Sequence, residues 1–255
     1  MKATYYETDR ALSEYLLFHY GADEQILPWS FGPAEGLHYP ERCVREILDA
    51  SRLPAAARAL DLGCAVGRSS FELARHCREV IGIDYSDRFI GVAAQLQRQG
   101  SLTYGIVEEG DLTIPATAVV PAEIDRLRVV FEQGDAQQLR EDLGMFDVVL
   151  MANLIDRLAR PLGCLERLPS LVKPGGQLII TSPYTWLEEY TRKEDWLGGF
   201  EKDGGKVHTL EALKDALVQH FELALTRDLP FLIREHARKF QWSVAEASVW
   251  RRLRR

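Results

Sequence analysis

The most constraining stretch of this sequence is Ala59-Leu60-Asp61-Leu62-Gly63-Cys64-Ala65-Val66-Gly67-Arg68-Ser69-Ser70. Residues 57–62 form a short apolar run of strand length, and residues 68–77 carry Phe71, Leu73, Ala74 and Cys77 on one side of a helix. A strand running through a glycine-bearing turn straight into a helix is the opening unit of a wound α/β sheet. Such a turn lets backbone approach a ligand closely and aims the unpaired N–H groups of the helix N-terminus at it. A second apolar run, Val80-Ile81-Gly82-Ile83, ends in Asp84. In a doubly wound sheet an acid at the tip of the second strand faces the first turn and can accept from both hydroxyls of a ribose. Together these features describe a nucleoside site.

Spacing decides which nucleoside. The dinucleotide fingerprint needs glycine at the first, third and sixth positions so that pyrophosphate can rest on bare backbone. Counting from Gly63, the third and sixth positions hold Ala65 and Arg68, which sets aside an NAD-dependent dehydrogenase. The spacing present, Asp61-x-Gly63-x-x-x-Gly67, resembles motif I of the class I S-adenosylmethionine (SAM) methyltransferases. That resemblance implies a Rossmann-like α/β fold. Its seven-stranded sheet is mostly parallel with an antiparallel last strand, and an N-terminal helical lid covers it. The cofactor implied is SAM, leaving as S-adenosyl-L-homocysteine. The implied cofactor contacts are Asp61, Gly63, Cys64, Ala65 and Gly67 in the turn, Asp84, Tyr85 and Ser86 after the second strand, and Asp135 and Ala136 against the adenine. Asn153 and Leu154, after the fourth strand, would lie opposite the reactive methyl.

At 255 residues the chain suits one α/β domain with appendages. The expected division is a helical lid over residues 1–52 and a methyltransferase domain over 53–255, with 101–125 as an insertion. Neither a membrane-spanning run nor a signal peptide is expected, so the assigned setting is cytoplasmic. The four cysteines (43, 64, 77 and 164) are scattered without a C-x-x-C pair, which argues for reduced thiols and against a metal site. A net charge of −7 with no basic stripe argues against a nucleic-acid partner. The arginines at 251, 252, 254 and 255 read as a solvated tail.

In chain order, residues 7–20 form a helix capped by Thr8 or Asp9, and an aromatic loop follows over 27–33. A second helix starts at Pro40 and runs to about residue 52. Phe31 and Tyr39 are the lid candidates. Ser86 caps a helix to residue 99, short β-like pieces occupy the insertion, and strands follow at 128–131 and 145–153, with a turn and fifth strand over 173–182. A helix spans 158–171 despite Pro161, residues 188–206 read as loop with room for a short helix, and Thr209 caps a helix to 220. Strand six is expected at 221–229, parallel, and strand seven at 240–250, antiparallel. Between them a loop at 230–238 would carry Arg234, Glu235 and His236 to the ligand side.

The resemblance narrows further. Tyr6-Glu7-Thr8-Asp9-Arg10, Tyr15-Leu16-Leu17-Phe18-His19-Tyr20-Gly21, the turn from Leu60 to Arg68, and Arg234-Glu235-His236-Ala237-Arg238-Lys239-Phe240-Gln241-Trp242 are similar to the ovothiol-biosynthesis methyltransferases. That family is usually met as the C-terminal domain of an iron-dependent sulfoxide synthase and methylates a ring nitrogen of 5-thiohistidine. The synthase half, with its H-x-x-x-H-x-E iron triad, is absent from this sequence. The chain is therefore expected to hold the methylation step alone, with 5-thiohistidine as substrate and a sulfoxide synthase domain or protein as partner. Candidate catalytic residues are Asp156 and His236, either of which could take a ring proton. Candidate substrate contacts are Tyr39, Arg157, Tyr184, Trp186, Phe231 and Arg234, the arginines for a carboxylate and the aromatics for the ring. Methylation of another small O- or N-acceptor, and a non-catalytic SAM-binding module docked to a synthase, stand beside this reading.

Overall fold

The computed structural model describes residues 3–254. Helices α1 (Ala3–Tyr6), α2 (Asp9–Tyr20), α3 (Asp23–Ile26) and α4 (Tyr39–Arg45) come first. Then follow β1 (Arg58–Leu62), α5 (Arg68–Leu73), β2 (Glu79–Asp84), α6 (Asp87–Gln99), β3 (Ser101–Glu109), β4 (Leu112–Val119), β5 (Val129–Gln133) and β6 (Phe146–Ala152). The chain continues through α7 (Pro161–Leu171), β7 (Val172–Ser182), β8 (Phe200–Lys202), β9 (Gly205–Val207), α8 (Thr209–Leu217), β10 (Phe221–His236) and β11 (Lys239–Arg252).

The main sheet has seven strands in the order β10-β11-β7-β6-β1-β2-β5. Pairings from β7 to β5 are parallel, and β11 lies antiparallel between β7 and β10. This is the Rossmann-like arrangement expected from the sequence. Side-chain alternation assigns the two faces. Ala59, Val148, Leu150 and Ile179 bury with α5 and α6, while Leu60, Leu62, Val149, Met151, Leu178 and Ile180 bury with α7 and α8. Strand order reverses across β1, since β2 and β5 continue on one side of it and β6 and β7 on the other. The carboxyl ends of β1 and β6 therefore border the crevice where such sheets bind ligands.

Several boundaries move from their sequence positions. The helix expected to begin at 158 starts at Pro161, which occupies the first turn where its missing N–H costs nothing. Thr209 is the first residue of α8 rather than its cap, and its hydroxyl accepts from Trp186 Nε1 instead. The helix opening near Pro40 ends at Arg45, and that following Gly67 ends at Leu73. The largest change is at 230–238, where residues 230–236 are strand rather than loop and only Ala237 and Arg238 form a turn. β10 continues through Pro230 to His236, paired with β11 as far as Lys239. Pro230 is tolerated because β10 is the outermost strand, so its missing N–H removes no second ladder. The insertion forms a separate hairpin of β3 and β4, and α2 packs against both it and β10. Two short strands, β8 and β9, lie inside the segment expected to be loop.

Candidate active site

The turn after β1 is held in shape by its neighbours. The N–H groups of Gly63 and Cys64 both donate to the Ile83 carbonyl, at 2.8 and 3.1 Å, which ties the turn to the end of β2. Gly63, Ala65 and Gly67 all have positive φ (74°, 47° and 87°), so the chain folds tightly enough to leave a concave face. A Cβ at Gly63 would come 3.1 Å from Leu154 Cδ1, so the turns after β1 and β6 nearly touch. Asp61, fully buried at the end of β1, accepts from the hydroxyls of Ser69 and Ser70 at 2.7 and 2.6 Å. Burial lifts its carboxyl to about 6, with those two serines opposing. Asp61 thus braces the helix N-terminus from behind the cavity.

A cavity of about 490 Å³ opens over this turn. It is walled by Gly63 and Ala65 from the turn, Asp84, Tyr85 and Ser86 after β2, Asp135 and Ala136 after β5, and Asn153 and Leu154 after β6. The Asp84 carboxylate accepts from the N–H groups of Ala65 and Ser86, at 2.8 and 2.9 Å, and burial raises its pKa. Cys64 and Gly67 lie behind the wall, packed in the turn. At Gly67 a Cβ would meet Phe131 Cζ at 2.5 Å, so that glycine serves helix–strand packing.

Of the substrate-side candidates, Tyr39 and Arg157 line the cavity. The buried Tyr39 hydroxyl donates to Asn153 Oδ1 at 2.7 Å and lies 2.6 Å from Thr181 Oγ1, and Asn153 takes a left-handed backbone (φ 50°). Arg157 Nη1 donates to the Asp156 carbonyl, to Asp156 Oδ2 and to the Thr185 carbonyl, each at 3.0 Å. Its guanidinium stacks 4.9 Å above the Tyr190 ring. Burial works against that charge, but Asp156 and the surrounding tyrosines more than offset it and raise the pKa. Tyr190, Tyr6 and Tyr15 lie along the same wall, the rings of Tyr6 and Tyr15 meeting edge to face at 5.8 Å between centroids, and burial raises the pKa of all three phenols.

The remaining candidates stand elsewhere. Asp156 is fully buried beneath Arg157 and accepts from the Thr185 N–H at 2.9 Å, so it supports the arginine rather than facing the cavity. His236 sits at the end of the β10–β11 ribbon, where its Nδ1 accepts from the Arg238 N–H at 3.3 Å. Arg234 is buried and donates to the Gln25 carbonyl at 2.6 Å, holding α3 to the ribbon. Tyr184 donates to Glu246 Oε2, Trp186 is buried against Trp196, and Phe231 packs behind Tyr39 at 4.8 Å between ring centroids. Phe31 is exposed beside Trp29 and stands outside the cavity. The wall also includes residues not singled out from the sequence: Tyr6, Tyr15, Phe18, His19, Phe89 and Tyr190. The aromatic spacing in 6–20 was the available signal, but a helical stripe of aromatics reads equally as core.

The acid at the tip of β2, the paired glycine turn and the Asp135–Ala136 corner converge on one cavity, which fits a nucleoside cofactor without a pyrophosphate. Comparison with known proteins agrees. A family model described as "Methyltransferase domain" matches residues 36–227, and the chain belongs to that family as a class I SAM-dependent methyltransferase. Among curated relatives, the ubiquinone biosynthesis O-methyltransferase of Xanthomonas axonopodis pv. citri is 28% identical over 151 residues, covering 59% of this chain and 53% of that protein. The corresponding enzyme of Ruegeria pomeroyi is 30% identical over 128 residues, covering 50% and 42%. This chain thus spans about half the length of the curated relatives it matches. Among solved structures, the N-methyltransferase NodS from Bradyrhizobium japonicum WM9 in complex with S-adenosyl-L-homocysteine superposes with a TM-score of 0.54 at 16% identity, over 94% of this chain and 98% of that one. The [4+2]-cyclase SpnF gives 0.58 at 16% identity, over 98% and 95%. At these identities the two structures speak to the fold. Among the described residues no cluster of metal-ligating side chains occurs, and no helix is long and apolar enough to cross a membrane.

Proposed function

We propose that this protein methylates a ring nitrogen of 5-thiohistidine, the reading to which its residue pattern is similar. The observation that carries the proposal is Arg157. Three hydrogen bonds fix one amino group of its guanidinium, and the rest of the side chain borders a tyrosine-lined cavity. A guanidinium held in this way suits the carboxylate of a free amino acid, and the neutral phenols beside it suit a polar ring. When bound, SAM supplies a sulfonium methyl, already activated toward a nucleophile. The chain's own task is then positioning, which accounts for much of the rate in such a transfer. Asp156 orients Arg157, and the Tyr39–Asn153–Thr181 cluster sets the backbone opposite the turn. The lid aromatics exclude water. The two bases expected from the sequence, Asp156 and His236, lie outside the cavity wall, so in this reading the ring proton leaves to solvent. Thiolate is the softer nucleophile, so the site must also turn the sulfur away. A sulfoxide synthase as supplier of the acceptor, and a cytoplasmic setting, belong to the same proposal.

A second reading is O-methylation of a phenol, favoured by the names of the curated relatives. Mass spectrometry of the protein incubated with SAM and 5-thiohistidine, with histidine and a catechol in parallel, separates the two. A single methyl located on the imidazole nitrogen supports the first reading, and transfer to the catechol alone replaces it. For Arg157→Ala, KM for 5-thiohistidine should rise about 10–100-fold while SAM affinity stays within about twofold. An acceptor analogue lacking the carboxylate should be a poor substrate for both wild type and variant. Equal losses on the two acceptors would remove Arg157 from carboxylate recognition.

A further inference from the structure

The lid contributes one polar side chain that the functional reading leaves unused. His19, on the last turn of α2, is buried, lines the cavity, and has no hydrogen-bond partner for its buried Nδ1 among the described residues. Its position along the cavity follows from fixed points. Asp84 joins two parts of the wall: its carboxylate accepts from the Ala65 N–H at 2.8 Å, and its carbonyl accepts from the N–H of Gly134, the neighbour of Asp135, at 2.9 Å. The next residue, Tyr20, donates through its hydroxyl to the Val66 carbonyl at 2.8 Å, which clamps this turn of α2 onto the glycine turn. His19 therefore overlooks the Ala65 end, away from the adenine corner. Other polar side chains there are committed. Arg68 donates to Glu41 at 2.7 Å and Glu72 at 2.8 Å, and Ser69 donates to Asp61.

We propose that His19 is a cofactor ligand, hydrogen-bonding the zwitterionic amino-acid tail of SAM, so that the lid helix forms one wall of the cofactor site. A neutral imidazole offers one N–H to a carboxylate and one lone pair to an ammonium, which is the complement of such a tail. Burial, reinforced by the nearby Arg68 charge, lowers the pKa of His19 to about 3, so the ring stays neutral at working pH. A buried nitrogen without a partner is unfavourable in the free protein, and the tail relieves that deficit on binding. This inference rests on the cofactor assignment and not on the identity of the acceptor.

Calorimetric titration with two ligands tests it without any turnover. S-Adenosyl-L-homocysteine carries the tail, whereas 5′-methylthioadenosine has the same nucleoside and a thioether but no amino acid. His19→Ala should weaken S-adenosyl-L-homocysteine binding at least about tenfold and leave 5′-methylthioadenosine within about twofold of wild type. His19→Asn, whose amide offers both a donor and an acceptor, should recover part of the loss. Should the alanine variant fail to fold, as judged by its thermal melt, His19→Phe, which fills the space without a donor or acceptor, carries the same comparison. Equal weakening of both ligands would assign His19 to lid packing and overturn the proposal, as would an unchanged S-adenosyl-L-homocysteine affinity. Failure of wild type to bind either ligand would overturn it together with the cofactor site.

Discussion

Asp61 and Asp84 sit at corresponding ends of neighbouring strands, yet they perform different tasks. Asp84 faces the cavity and holds the Ala65 and Ser86 N–H groups, while Asp61 is sealed behind the turn. Asp84→Ala should weaken SAM binding by at least about tenfold with the fold retained, and an unchanged affinity by calorimetry would remove Asp84 from the ribose. For Asp61 the consequence is in stability. Its carboxyl is raised from the ordinary 3.8 to about 6, so between those values the native state binds more protons than the unfolded chain. Stability contributed at this site is then present at low pH and is lost as pH rises through that window, by up to about 3 kcal/mol. Asp61→Asn removes the titration, so urea unfolding should show wild type losing ground to the variant between pH 4 and 6.5. A constant difference across that range would contradict the assignment. Both acids were legible in the sequence because strand ends and glycine spacing fix where they stand. Asp156 and Arg157 were not separable there. They are adjacent in a short 3-10 turn, and only the packed structure shows that the acid points inward and the arginine toward the cavity.

At the scale of elements, the strand–turn–helix unit was the most readable part of the chain, because its geometry is local. Gly67 has φ 87° and no room for a Cβ against Phe131, so Gly67→Ala should destabilise the protein by about 2–4 kcal/mol. Denaturant titration checks this, and a loss below about 0.5 kcal/mol would mean that the turn relaxes. Similarly, α6 lies between its Ser86 cap and Gly100 as its sequence announces. The ribbon of β10 and β11 was misread for a physical reason. Pro230 and the charged run after it carry the signature of a loop, and that signature is silent about whether a strand lies at an edge. Carrying β10 on as strand moves Arg234 and His236 out of the expected ligand-side loop, and with them the base expected from sequence. The wall residues Tyr6, Tyr15 and Tyr190 lay beyond sequence reasoning because segments far apart in the chain bring them together.

Across the whole molecule, the cavity is roofed by α2, which brings Tyr15, Phe18 and His19 to it. The roof is tied down by the Tyr20 hydroxyl to Val66 at one end and by Arg88 on α6 to Asp9 at the other. A helix roofing a ligand in this way should gain protection when the ligand fills the space beneath it. Adding S-adenosyl-L-homocysteine should slow amide hydrogen exchange in residues 9–20 by about tenfold or more, with the β8–β9 hairpin unchanged. Equal exchange in α2 with and without the ligand would mean that the roof does not rest on the cofactor.

The attachment of this roof also fixes an order of events during synthesis. Arg234 reaches back to the Gln25 carbonyl and Arg42 to the Pro230 carbonyl, contacts that span 209 and 188 positions of the chain. The segment around Gln25 and Arg42 therefore has to wait for residues 230–234 before it can settle. Until the ribbon emerges, Leu17, Ile26 and Leu37 lack Leu232, the ribbon residue that completes their cluster. A nascent chain halted before residue 230 would expose that apolar surface, while its parallel strands could already pair. In the cell, the vulnerable interval for this protein is the time between translation of Leu37 and translation of Leu232.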